Sequence, residues 1–144
     1  MDAEACISHA EMTSLIHITL CETVSELSRD IENLKGIPPM ELSDASLSAV
    51  IDQTRKFVVF LKYTNEYMRK TIPDSTVREE MLRIKLHLLS VLRALSDHVR
   101  AGDRLAVHDL ITEELRDNLT LWKINVLPLL RPLRTQPISG SIHA

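Results

Sequence analysis

The side chains whose types and spacing could do chemistry in this chain are four. His98 and His108 flank Gly102, with Asp97, Asp103 and Asp109 close by in sequence. On two helices joined at Gly102, His98 would fall about one turn before the joint and His108 about one and a half turns after it, both toward the core side. Two imidazoles and a carboxylate brought together there could hold Zn²⁺ or Fe²⁺. They could also form a pH-sensitive pair, because protonating two neighbouring buried imidazoles is costly. The plainer reading is a pair of helix-end histidines bonded to carbonyls or carboxylates. His17 and Cys21 are the second constellation. Their i, i+4 spacing sets both on one face of a helix, as a two-point metal grip requires. Only the distant His87 offers itself as a third ligand. The alternative is a packed cysteine beside a hydrogen-bonded, partly buried histidine.

Beyond these pairs the sequence carries no enzyme signature. It has no glycine-rich phosphate loop, no H-E-x-x-H, no C-x-x-C and no G-x-S-x-G. The E-x-x-H ligand pattern of carboxylate di-iron bundles is absent. His87 lies in K-L-H-L-L, too apolar a setting for a phosphotransfer histidine. No catalytic residue and no cofactor is therefore assigned.

The elements that must position these residues are legible from breakers and periodicity. Three glycines and six prolines fall in a few narrow zones, and long breaker-free stretches lie between them. Leu dominates an apolar set in which aromatics are only 3%, which favours helix over strand. A first helix is predicted over Ser8 to Lys35, opened by the S-x-x-E capping box of Ser8 and Glu11 and stopped by Gly36 and Pro38-Pro39. Its core series is Leu20, Val24, Leu27, Ile31, Leu34. A second helix, Asp44 to Thr71, is capped by Ser43 or Asp44 and ended by Pro73, with the series Leu47, Ile51, Thr54, Val58, Leu61, Asn65, Met68, Ile72. A third, Thr76 to Ala101, opens on Thr76 and Glu79, stops at Gly102 and carries Val77, Met81, Ile84, Leu88, Val91, Leu95. The fourth starts at Asp103 and reaches about Leu130, with Val107, Ile111, Leu115, Leu119, Trp122 and Val126 inward. Pro128 should kink or end it and Pro132 should prevent a further straight run.

Steps of four and three mark bundle-facing stripes. Short connections between long helices require antiparallel neighbours. The fold expected is all-α: an antiparallel up-down-up-down four-helix bundle over residues 1–134, followed by a short disordered tail at 135–144. A long two-helix hairpin that completes its bundle by dimerising is the structural alternative. Residues 101–122, A-G-D-R-L-A-V-H-D-L-I-T-E-E-L-R-D-N-L-T-L-W, resemble in layout the last hairpin of small bacterial helical-bundle proteins, including flagellar export chaperones. That likeness of architecture implies a helical hairpin there.

Composition narrows the partners. The net charge of −3 is too small to argue for nucleic acid or a membrane surface, and no apolar run is long enough to span a bilayer. The basic residues of the middle third are interspersed with acids rather than gathered into a stripe. Cys6 and Cys21 lie about four turns apart on one expected helix and make no disulfide framework, and the first residues lack the charged-then-apolar layout expected of a signal peptide. The expected setting is the cytoplasm. The charge is uneven, however: residues 1–50 hold nine acids and two bases, residues 51–100 six acids and ten bases. Neighbouring helices of opposite sign would attract.

A second apolar group accompanies the core series. Phe57, Phe60, Tyr63, Thr64 and Tyr67 occupy a separate arc of the second helix, and both Phe and both Tyr of the chain lie within these eleven positions. Leu82, Leu86 and Leu89 form a similar stripe on the third helix. Such surface is either the flank of a broad-faced bundle helix or a patch that a partner covers. The leading functional expectation is a non-enzymatic, chaperone- or regulator-like interaction module. It would use a helix 2–helix 3 surface of Phe57, Phe60, Tyr63, Tyr67, Leu82, Leu86 and Leu89 to form a homodimer or to take a partner helix. The alternative is a metal- or small-cofactor-binding sensor built on His98 and His108 or on His17 and Cys21.

Overall fold

The computed structural model describes residues 8–71 and 75–135. Among them every regular element is helical. We label the long helices α1 (His9–Lys35), α2 (Asp44–Thr71), α3 (Ser75–Arg100) and α4 (104–135), with one 3-10 turn at Pro39–Glu41 between the first two. No described helix is long and apolar enough to cross a membrane.

Local chemistry sets most of these ends. Ser8 Oγ accepts from Glu11 N at 3.0 Å while Glu11 Oε1 accepts from Ser8 N, so the capping box closes. Ser43 caps α2 by accepting from Ser46 N at 3.0 Å. The α3–α4 turn is a Schellman closure: Gly102 N donates to Val99 O and Asp103 N to His98 O. Gly102 adopts φ 72° there, a left-handed conformation that costs glycine nothing. Asp103 Oδ1 then caps α4 by accepting from Ala106 N. Helix α3 is already under way at Ser75, one residue before the expected cap at Thr76. Cys6, Ile72, Pro73 and positions 136–144 of the expected tail lie outside the described residues.

Cross-helix bonds fix the directions. His9, at the start of α1, meets Tyr67 near the end of α2. Arg55 reaches Ser96 across α2 and α3, and Asn118 and Asn125 of α4 reach Ile84 and Glu80 of α3. Each helix therefore runs against the one before it. Helix α4 also packs along α1, which closes a square of four antiparallel rods. The 36–43 connection is held to α4 by Arg104, whose guanidinium donates to the Leu42 carbonyl at 2.6 Å and pairs with Asp44.

The inward stripes of α1 and α3 are the ones expected, and all eleven residues of those two series are buried. In α2 the stripe shifts after Thr54. Phe57 and Thr64 are buried where Val58 and Asn65 were expected, and those two are half-buried. The larger Phe57 takes the core place because its ring meets Trp122 edge-on, 5.5 Å between centroids.

Helix α4 departs most from expectation, since it runs on through Pro128 and Pro132 to Thr135. Two wide π-helical turns, Leu110–Leu115 and Trp122–Val126, interrupt its α-helical course. The reason is in the spacing. Val107, Ile111, Leu115, Leu119, Trp122, Val126 and Leu130 are buried in turn, and their six steps cover 23 residues. That is about 3.8 residues per step, so on a straight 3.6-residue helix the stripe would drift by more than a third of a turn. Each π turn takes up one extra residue and turns the stripe back to the core. The second also lies where Pro128 acts. A proline withholds its N–H from the carbonyl four residues back and crowds it. That carbonyl belongs to Ile124, inside the wide turn.

Candidate interaction surface

Of the seven residues expected on one helix 2–helix 3 surface, the structure makes four groups. Phe57 is in the core. Phe60, Tyr63 and Tyr67 turn toward α1, not α3, and with Met12, Leu15, Ile16, Thr19 and Thr64 line a groove of about 400 Å³. Leu89 lines a shallow groove between α2 and α3 with Arg55, Val58 and Arg93. Leu82 and Leu86 stand exposed on α3 and line neither groove. Geometry decides the split: the α2 wheel puts its aromatic arc on the side where α1 happens to pack.

Around the α1–α2 groove apolar side chains are left substantially in water, Leu15 and Tyr63 in its lining and Ile18 and Val59 outside it on the same two helices. Leu15 is 51% exposed, Ile18 39%, Val59 53% and Tyr63 66%. Groups of this size are singly unremarkable on a surface but rarely gather on two adjacent helices without a covering partner. One end is closed by His9, whose ring stacks on Tyr67 with Nδ1 3.1 Å from the phenolic oxygen. Toward the other end the groove continues into a smaller hollow of about 220 Å³ that shares Thr19 and Phe60 and adds Glu26 on α1 and Lys56 on α2. The two walls carry opposite charge. Helix α1 holds five acids and two bases, α2 three acids and five bases. The α1 residues Met12, Leu15 and Ile18 were missed from sequence, although Leu15 and Ile18 are three apart and off the core series.

The histidine and cysteine pairs are placed differently. His17 is buried and Cys21 is exposed, so the i, i+4 pair does not open onto one site. His98 lines a hollow of about 290 Å³ at the far end of the bundle, with Asp44, Asp103, Arg104 and Val107, and its Nδ1 lies 3.8 Å from Asp103. His108 is not among the residues of that hollow. It is mostly buried, 3.6 Å from Asp109, and neither of its ring nitrogens has a hydrogen-bond partner. Among the described residues no group of three or more His, Cys, Asp or Glu comes together to hold a metal ion.

One polar chain enters the core. Trp122 Nε1, a donor only, donates to Asn118 Oδ1 at 2.9 Å. That fixes the amide, whose Nδ2 donates to the Ile84 carbonyl at 3.1 Å and to His87 Nδ1 at 2.9 Å. His87 Nδ1 is thus the acceptor, and Nε2 carries the hydrogen toward Glu114, 3.7 Å away. The chain satisfies an asparagine that is fully buried.

Three surface carboxyls are held below their ordinary range. The Ser8 backbone N–H does this for Glu11, and Arg69 does it for Glu66. For Glu80 the cause is first Arg83 and then Asn125. A carboxylate whose folded pKa is depressed contributes stability above the unfolded value of about 4.3. It loses that contribution as the pH falls through the folded value. The melting temperature should therefore fall on acidification below about pH 4–5, and less steeply in Glu80→Gln. Thermal melts across that range check this, and an unchanged acid slope in the variant would contradict it.

Compared with family models, with curated proteins and with solved structures, the chain matches none. Its function must be read from its own surface.

Proposed function

We propose that this chain is a non-enzymatic, cytoplasmic helical interaction module that pairs with a second copy of itself through the face formed by α1 and α2. The observation that carries the reading is the run of exposed Leu15, Ile18, Val59 and Tyr63 along two adjacent helices of opposite charge. Apolar residues with a large aromatic at the centre supply the binding free energy of such interfaces. A face with one acidic and one basic wall complements a copy of itself, which favours a self-pair over an unrelated helix. The α2 aromatics Phe60, Tyr63 and Tyr67 belong to this surface, with Met12 and Leu15 in place of the α3 leucines.

Sedimentation or light scattering at micromolar concentration tests it. The wild-type chain should run at twice its 16.4 kDa. Tyr63→Asp sets a carboxylate at the centre of the face and should weaken pairing by at least about thirtyfold, on the order of 2 kcal/mol. Its helix content should stay intact, because Tyr63 is mostly exposed. A wild-type chain that remains monomeric throughout would sink the reading.

A further inference from the structure

We infer that the two copies pair about a two-fold axis parallel to the helices, so that α1 of each lies over α2 of the other. This rests on the self-pairing reading above and adds its geometry.

The levels of the two helices are fixed within one chain. His9 meets Tyr67 at one end, and Leu15 and Tyr63 line the same groove. Further along, Glu26 and Lys56 line the adjoining hollow. Antiparallel helices advance at the same rise per residue. Ile18 and Val59 therefore share the next level after Leu15 and Tyr63, and Glu22 and Lys56 the level after that. All six side chains are exposed. They make two matched rows: Leu15, Ile18, Glu22 on α1 and Tyr63, Val59, Lys56 on α2.

Two faces can be stacked by a two-fold axis in the plane between them in two simple ways. An axis across the helices sets α1 on α1 and α2 on α2. Five acids and two bases would then face their own kind, and so would five bases and three acids. Like-charge juxtaposition of this sort counts against a pairing. An axis along the helices exchanges the rows and keeps each residue at its own level. Leu15 then meets the partner's Tyr63, Ile18 the partner's Val59, and Glu22 the partner's Lys56, each contact made twice. The apolar pairs lie inside and the ion pairs form the rim. Charge selects the second arrangement over the first.

Charge reversal and mixing test it. Glu22→Lys and Lys56→Glu alter exposed side chains, and circular dichroism confirms that each variant keeps its helices. Alone, each variant sets like charges at both rim positions, and its dimer dissociation constant should rise about tenfold. Mixed in equal amounts the two complement each other at both positions. The mixture should then return to within about twofold of wild type. If Glu22→Lys pairs as well as wild type or better, or the mixture stays weak, the arrangement is overturned. A dimeric wild type with that outcome leaves the self-pairing reading standing, whereas a monomeric wild type removes the reading itself.

Discussion

Trp122→Ala should cost about 3–5 kcal/mol of stability, the largest loss expected from any single side chain here. Trp122 is wholly buried, packs edge-on against Phe57 and donates its N–H to Asn118. Alanine removes both the packing and the donor. The collapse of the site is limited because Phe57, Leu61 and Ile84 around the core are themselves fully buried. Against a total of roughly 5–15 kcal/mol for a domain of this kind, such a loss brings unfolding close to ambient conditions. Trp122→Phe separates the two contributions. It keeps most of the volume but leaves Asn118 Oδ1 buried without a donor, a cost of about 1–3 kcal/mol. Adding Asn118→Leu to Trp122→Phe removes both polar partners, so the double variant should lose less than the two single variants added together. Urea unfolding followed by far-ultraviolet circular dichroism gives all four values. A Trp122→Phe protein as stable as wild type would show that the Asn118 bond contributes nothing.

Deleting Glu113 should leave the protein folded, whereas deleting Arg55 should not. Both are exposed. Removing one residue from a regular helix turns everything beyond it by about 100°. The loss of Arg55 would swing Phe57, Leu61 and Met68 out of the core, three side chains each buried to within 1%. At roughly 1.5–3 kcal/mol for each large apolar group, these three alone amount to a loss comparable to the whole stability of such a domain, and every inward residue beyond them is turned as well. Glu113 lies in the wide turn Leu110–Leu115, which holds one residue more than an α turn needs. Its removal converts that turn to ordinary α-helix and keeps Leu119, Trp122, Val126 and Leu130 facing inward. Cooperative thermal unfolding, present in one deletion and absent in the other, checks the pair. Equal damage from both would mean that the wide turns do not set the register of α4.

These cases show what was legible. The stripes of α1 and α3 step by four and three, a pattern only one helix face satisfies, and they were read without error. In α2 the adjacent Phe57 and Val58 both sit at the edge of the stripe, and periodicity could not rank them. A partner ring on α4 decided it. The steps of four in α4 are present in the sequence and call for an under-wound helix, whereas Pro128 and Pro132 favour an end. The second arc of α2 was visible as aromatic residues. In a square bundle every helix has two neighbours, however, and a wheel does not say which lies on which side. That is why Phe60, Tyr63 and Tyr67 were grouped with the α3 leucines and not with Met12 and Leu15. His98 and His108 are placed apart in the same way, His98 in the hollow beside Asp103 and His108 mostly buried outside its lining.

The link from Arg104 to Leu42 and Asp44 has a kinetic consequence. It joins residues about sixty apart in sequence, across an end of the bundle where two connections meet. Leu42, Asp44 and Arg104 flank the α2–α3 hairpin, so the link closes at that hairpin's open end, the contact of longest loop within it. A bond made after the folding barrier has been crossed does not speed folding and chiefly slows escape from the native state. Arg104→Ala should therefore raise the unfolding rate and leave the folding rate nearly unchanged, which stopped-flow kinetics would read directly.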